Sequence, residues 1–116
     1  MSQMPTHRQA EEEITVELIR IHEESYGAGA KSVETYILEN VVFVILDLET
    51  TAAERTLLDA GKEDAVRRTR EDFQIAVGEI FIAVVERATG RRVSSFASRM
   101  NVDPVYSVEV FRLAPS

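Results

Sequence analysis

The chain has 116 residues, of which 45% are hydrophobic, and this is enough apolar material for a single domain with one core. Its 20 acidic residues outnumber 13 basic ones, and a net charge of −7 argues against non-specific binding to nucleic acid or anionic lipid. The absence of cysteine excludes disulfides, thiolate catalysis and cysteine-based metal sites.

Nothing in the sequence predicts direct insertion into a membrane. The longest apolar run, residues 41–46, is far too short to cross a bilayer. The polar start of the chain lacks the apolar segment of a signal peptide. We therefore expect a cytoplasmic protein, in agreement with the lack of cysteine.

The N-terminal part predicts a flexible tail over residues 1–8 and a first helix from Gln9 to Tyr26. Its apolar side carries Ala10, Ile14, Leu18, Ile21 and His22. Gly27 and Gly29 follow, and glycine readily takes the positive φ that ends a helix. A phosphate-binding loop would need a strand before these glycines and a helix after them, so we interpret the pair as a turn.

Two runs rich in β-branched and aromatic residues, Ser32–Leu38 and Val41–Leu48, predict a β-hairpin. The connection between them is Glu39-Asn40, and asparagine tolerates the left-handed conformation of a tight turn. The second run is apolar almost throughout, which is typical of a central strand.

Thr51 and Glu54 have the spacing of a capping box, in which each side chain bonds to the backbone N–H of the other residue. We expect a short helix after Thr51 that continues to about Ala60 and ends at Gly61. Capping explains both residues without a catalytic role.

A long helix is predicted from about Lys62 to Ala88, with Gly90 as the residue that ends it. One apolar stripe contains Val66, Phe73, Val77, Ile80, Phe81, Val84 and Ala88. A second set, on nearly the opposite side, contains Ile75, Ile82 and Val85 together with Gly78. We predict that the first stripe packs on the chain's own sheet and that Ile75, Ile82 and Val85 meet a second copy in a homodimer. In the alternative, the first helix covers the second set and the chain is a monomer.

Arg91–Met100 and Val105–Leu113 predict a second hairpin around a turn at residues 101–104, and residues 114–116 form a tail. The order α-ββ-α-α-ββ favours an α+β fold, with a four-stranded antiparallel sheet packed against the long helix and the N-terminal helix. Residues 9–113 then form one domain. The pattern leaves the order of the strands open.

The sequence predicts no catalytic residue, metal site or cofactor. The two histidines are far apart, and neither the HExxH nor the GxSxG pattern occurs. An unrecognised enzyme would require polar side chains that converge in a cleft, such as Glu54, Arg70 and Tyr36.

Four arginines are candidates for binding an anion or the carboxylate of a partner: Arg67, Arg70, Arg91 and Arg92. Their alternative use is pairing within the chain. The acidic residues available for that are Glu63, Asp64, Glu71 and Glu86.

Five stretches together resemble one family. They are Tyr26-Gly27-Ala28-Gly29, Thr51-Ala52-Ala53-Glu54, Val66–Phe73, Thr89-Gly90-Arg91-Arg92-Val93 and Val108–Leu113. In their order and spacing, from about Glu11 to Leu113, they resemble the MpsC-like family of small bacterial proteins, long catalogued as a domain of unknown function.

The resemblance implies a role beside a membrane-embedded, Na+-translocating system that generates membrane potential and supports uptake of inorganic carbon. We therefore expect a non-enzymatic accessory or regulatory protein at the inner face of the membrane, with integral-membrane transporter subunits as partners. The alternative function is a small-molecule or anion sensor that uses the arginines.

Overall fold

Within residues 7–115, three helices and four strands follow one another in the predicted order. The computed structural model describes residues 7–115, so the first six residues of the predicted tail and the last residue of the chain lie outside it. The elements are α1 (His7–Tyr26), β1 (Ala30–Leu38), β2 (Val41–Leu48), α2 (Ala52–Asp59), α3 (Glu63–Thr89), β3 (Val93–Val102) and β4 (Val105–Leu113). The predicted α+β class is confirmed, and α1 begins two residues earlier than predicted.

The four strands form one antiparallel sheet in the order β1-β2-β4-β3, with β2 in a central position. Both predicted hairpins are present, and the second strand of each, β2 and β4, pair with one another at the centre of the sheet. In the first hairpin, Glu39 and not Asn40 takes the positive φ of 52°. In the second, the strands continue to Val102 and from Val105, and the Asp103–Pro104 peptide bond is cis.

The side chains of the sheet alternate between a face covered by helices and a face without them. In β2, Val42, Val44, Leu46 and Leu48 are buried, whereas the residues between them are half-buried or exposed. The buried face packs with Ile14 and Leu18 of α1 and with Phe81 and Val85 of α3 in one core. Helix α1 lies over β1 and α3 lies over β3, so two parallel layers make up the domain.

One broad face of α3 is buried, and this corrects the two opposite stripes predicted for it. Phe73 contacts the rings of His22 and Tyr26 in α1, at centroid distances of 5.5 and 4.7 Å. On the other side of the same face, a Cβ at Gly78 would lie 3.2 Å from the Phe96 ring in β3. One side of this buried face of α3 therefore packs on α1, and the other side packs on the sheet.

The three residues predicted to form a dimer surface have three different environments. Val85 is 0% exposed and belongs to the chain's own core, so its placement on a dimer surface was wrong. Ile82 is partly buried against the same core, whereas Ile75 is 76% exposed. Ile80, which was predicted to face the sheet, is 50% exposed. Helical periodicity located the apolar residues, but the position of α1 decides which of them are covered.

Val85 and Ile75 provide a matched test of this packing on one helix. Val85→Ala removes buried methyl groups and should lower the free energy of unfolding by about 2 kcal/mol. Ile75→Ala should change it by less than about 0.5 kcal/mol, because the side chain is exposed. Urea unfolding of both variants measures the difference, and equal losses would contradict the placement of Val85 in the core.

Candidate functional site

The candidate site is centred on a buried ion pair between Glu54 of α2 and Arg70 of α3. Arg70 donates from Nε to Glu54 Oε2 and from Nη2 to Glu54 Oε1, each at 2.6 Å. The Arg70 side chain is 0% exposed and that of Glu54 is 7% exposed. Arg70 Nη2 also donates to the carbonyl of Glu49 at 2.8 Å. The two-pronged geometry makes this the strong, directional form of an arginine–carboxylate contact.

Two further groups complete the surroundings of Glu54. Tyr26 at the end of α1 donates its hydroxyl to Glu54 Oε2 at 2.7 Å, and the guanidinium of Arg70 lies 4.2 Å from the centre of the Tyr26 ring. Thr51 donates its N–H to Glu54 Oε1 at 2.9 Å and accepts from the Glu54 N–H at 3.1 Å. These last two bonds are the capping box that the spacing predicted.

The protonation states in this cluster follow from its contacts. Burial alone would raise the pKa of Glu54, but the hydrogen bonds from Arg70, the Thr51 N–H and Tyr26 lower it to about 2. Burial and the bond to Glu54 raise the pKa of Tyr26 to about 12. The cluster therefore holds one carboxylate and one neutral phenol throughout the neutral range, an arrangement suited to fixing elements together.

His22 lies beside this cluster and is fully buried. Its Nδ1 is 3.0 Å from the carbonyl of Ala28, which assigns the proton to Nδ1, and its ring stacks on Tyr26 at 5.5 Å. Burial lowers the pKa of His22, although the bond to Ala28 opposes this. The imidazole is thus neutral, and it secures the turn that begins at Gly27, where φ is 80°.

Of the three polar side chains named as a possible converging set, Glu54 and Arg70 do meet, but the tyrosine is Tyr26 instead of Tyr36. Tyr36 lies on β1 and donates its hydroxyl to Glu34. Sequence reasoning missed Tyr26 because it is 28 residues from Glu54 and no local spacing signals the contact.

The four candidate arginines do not gather at one place. Arg67 bonds to Glu63 at 2.7 Å and to Asp64 at 3.3 Å on the exposed side of α3, as in the predicted alternative. Arg70 is buried one turn further on. Arg91 follows the end of α3, so roughly 30 Å of helix separates it from Arg70.

Gly90 ends α3, and Arg91 connects this end of the helix to neighbouring segments. Gly90 has a φ of 70°, and its N–H donates to the carbonyl of Glu86 at 2.9 Å. Arg91 donates to Asn40 Oδ1 at 2.8 Å and to the carbonyl of Ala114 at 2.7 Å, which joins the first hairpin to the C-terminal residues. Arg92, next to it, is exposed.

A second buried carboxylate, Glu109 in β4, lacks the partners that Glu54 has. Glu109 is 0% exposed, and neither of its carboxylate oxygens has a hydrogen-bond partner of normal geometry among the described residues. Burial raises its pKa to about 7, against a smaller lowering by the nearby Ser98 and Ser107 hydroxyls. Gln74 of α3 and Ser98 line a cavity of about 110 Å³ above this part of the sheet. Sequence reasoning missed Glu109 because β4 carries polar residues on both of its faces.

The side of the sheet opposite the helices forms a broad surface that we call the open face. Its members are Ser32, Glu34, Tyr36 and Leu38 in β1, Val41, Phe43, Ile45 and Asp47 in β2, Tyr106, Val108, Val110 and Arg112 in β4, and Ser95, Ala97, Arg99 and Asn101 in β3. All are half-buried or exposed. The middle of the open face is apolar, and Leu38 and Tyr36 at one edge are 62% and 45% exposed. A continuous apolar surface of this kind is typical of a site of contact with another molecule.

Comparison with protein families gave one match over nearly the whole chain. The family is described as "MpsC: Na+-translocating membrane potential-generating system (MpsC)", and its model matches residues 6–115. Comparisons with curated proteins and with solved structures gave no match. Within residues 7–115, no helix is long and apolar enough to span a bilayer, and no group of three or more acidic or histidine side chains is placed to hold a metal ion.

Glu109 makes stability depend on pH in a defined direction. The pKa of Glu109 in the folded chain, about 7, lies above the ordinary value of 4.5. The stability of the fold is therefore fully present below about pH 4.5, where the carboxyl is protonated in both states, and the free energy of unfolding falls as pH rises through 7. Between pH 5 and pH 8 the wild type should therefore lose about 2 kcal/mol relative to Glu109→Gln.

Urea unfolding of both proteins at the two pH values measures this difference. Other titrating groups, His22 among them, are present in both proteins and cancel. A constant difference between pH 5 and pH 8 would show that the Glu109 carboxyl titrates as it does in water.

Proposed function

Since this chain belongs to the MpsC family, we propose that it is a non-enzymatic accessory or regulatory protein of a Na+-translocating, membrane-potential-generating system. It acts by contact with the integral-membrane subunits of that system at the inner face of the membrane, and through them on uptake of inorganic carbon. The observation that carries the proposal is the family match over residues 6–115, which includes all three described helices and both hairpins.

The environment of the polar side chains supports a role in protein contact rather than in catalysis. Glu54 binds both Arg70 and Tyr26; Glu54 and Arg70 are buried and Tyr26 is half-buried. In contrast, the open face presents apolar side chains at the surface of the domain. The chain thus presents apolar surface for contact with another protein, and the contacts of Glu54, Arg70 and Tyr26 stabilise the fold.

The alternative, an anion sensor, requires arginines that are available to the anion. Arg67 and Arg70 already bind carboxylates, and Arg91 binds an amide and backbone carbonyls. An anion would have to displace these partners from Arg67, Arg70 or Arg91, and the fourth candidate, the exposed Arg92, is a single arginine and not the cluster that the sensor requires. This cost favours the contact proposal.

Affinity capture from the native membrane fraction tests the proposal. The tagged chain is mixed with detergent-solubilised membranes, and the bound proteins are identified by mass spectrometry against the tag alone. We expect enrichment of an integral-membrane protein with the membrane-spanning segments of a cation-translocating subunit. Enrichment of soluble proteins only would contradict the proposal.

Thermal unfolding of the tagged chain distinguishes this proposal from the anion-sensor alternative. A sensor would show saturable thermal stabilisation by bicarbonate or phosphate, whereas a contact protein should show no more stabilisation than with chloride at equal ionic strength.

A further inference from the structure

The open face contains a pattern of charges and sizes that fits a second copy of itself. The strand register arranges it in rows that cross the sheet in the order β1, β2, β4, β3. The row at the centre reads Tyr36, Phe43, Val110 and Ala97. The neighbouring row reads Glu34, Ile45, Val108 and Arg99, with opposite charges on the two edge strands.

From this pattern we propose that the open face joins two copies of the chain in a homodimer. The two-fold axis runs parallel to the strands, between β2 and β4. The inference goes beyond the proposed function, because it concerns how the chain associates with itself and holds with or without a membrane partner.

Charge complementarity follows directly from this axis. A rotation about a line between the two central strands places β1 of one copy over β3 of the other, with the rows unchanged. Glu34 of each copy then lies opposite Arg99 of the other, so the interface contains two equivalent pairs of opposite charge. In the single chain, Glu34 and Arg99 lie on opposite edge strands, with two strands between them.

Size complementarity follows from the same rotation. Tyr36, the largest side chain of the central row, comes to lie over Ala97, the smallest. Phe43 lies over Val110 in that row. These contacts would make a packed apolar centre between sheets about 10 Å apart, as in a β-sandwich.

At the end of the face, the axis brings polar groups together as well. Asp47 of one copy lies over Tyr106 of the other, which is a carboxylate over a hydroxyl donor. Ser32 lies over Asn101 in the same row. The interface thus has an apolar centre and a polar border, the usual arrangement of a specific protein contact.

The alternative two-fold axis, perpendicular to the strands, does not give this match. It would place β1 over β1 and β3 over β3, so Arg99 would lie over Ala97 and no acidic side chain would face it. Arg99 would then enter the contact without an opposite charge, which is costly at an interface. Arg112, in the row of Leu38 and Val41, lies over no acidic side chain with either axis, so the pairing of Arg99 selects the axis that runs along the strands.

The available area is sufficient for such a dimer. Four strands about 4.8 Å apart and eight residues long, at about 3.3 Å per residue, give a footprint of roughly 500 Å² per copy. Two copies would bury about 1,000 Å², the lower limit for a specific interface.

Charge exchange at Glu34 and Arg99 tests the proposal on residues that lie at the surface. Sedimentation equilibrium and light scattering should give the wild type twice the 13.0 kDa mass of one chain. Glu34→Arg and Arg99→Glu each place like charges opposite one another and should raise the dimer dissociation constant about tenfold or more. The double variant restores opposite charges and should return the constant to near the wild-type value.

Two further variants distinguish this interface from other surfaces. Phe43→Glu introduces a charge at the apolar centre and should give a monomer with an unchanged far-ultraviolet circular dichroism spectrum. Ile75→Glu, on the exposed side of α3, should leave the dimer intact. The proposal is overturned if the wild type is a monomer at 100 μM, if the double variant dissociates more than either single variant, or if Ile75→Glu alone abolishes the dimer.

Discussion

The buried contact between Arg70 and Glu54 is the interaction on which the arrangement of the helices depends. It joins α2 to α3, and through the Tyr26 hydroxyl and the Glu49 carbonyl it also holds the end of α1 and the segment after β2. Helix α2 has eight residues, too few to be stable alone, and Glu54 is its one buried residue. A polar contact therefore docks this helix where apolar packing usually would.

A buried ion pair stabilises a fold when the hydrogen-bonding capacity of both partners is used, because removing two charges from water is costly. Glu54 meets this condition, since each of its oxygens accepts two hydrogen bonds from Arg70, Tyr26 or the Thr51 N–H. Arg70 donates from Nε and Nη2, whereas its Nη1 has no hydrogen-bond partner among the described residues. Glu109 is the opposite case, for it is equally withdrawn from water but has no comparable set of donors. The two carboxyls consequently have pKa values displaced in opposite directions, to about 2 and about 7.

The position of α3 links this interaction to the surface of the molecule. With its first half held by Arg70 and its middle packed on Phe96, α3 covers β3 while α1 covers β1. All the helices therefore lie on one side of the sheet or beside it, and the apolar residues on the other side remain available for contact. The proposed dimer follows from a domain with one layer of helices, and it leaves the helical side of each copy for contact with the membrane subunits.

Local patterns predicted the elements well, because their signals lie within a few residues of one another. The capping box at Thr51 and the left-handed Gly90 are signals of this kind, and both are where the sequence placed them. What could not be predicted depends on contacts between distant parts of the chain. Val85 is in the core because α1 and the sheet enclose it, and Arg70 meets Glu54 because α2 folds back on α3. Glu109 faces the helices because its face of β4 is the buried one, and the alternation of residues along β4 did not show which face would be buried.

The central claim is that the Arg70 contact organises the domain, and the most direct measurement is urea unfolding of Arg70→Gln beside Arg67→Gln. Both changes remove one arginine from the same helix, three positions apart. Arg70→Gln leaves a buried carboxylate without its counter-charge and should lower the free energy of unfolding by about 3–5 kcal/mol. Arg67→Gln removes only exposed pairs and should cost less than about 1 kcal/mol. Similar losses for the two variants would contradict the claim.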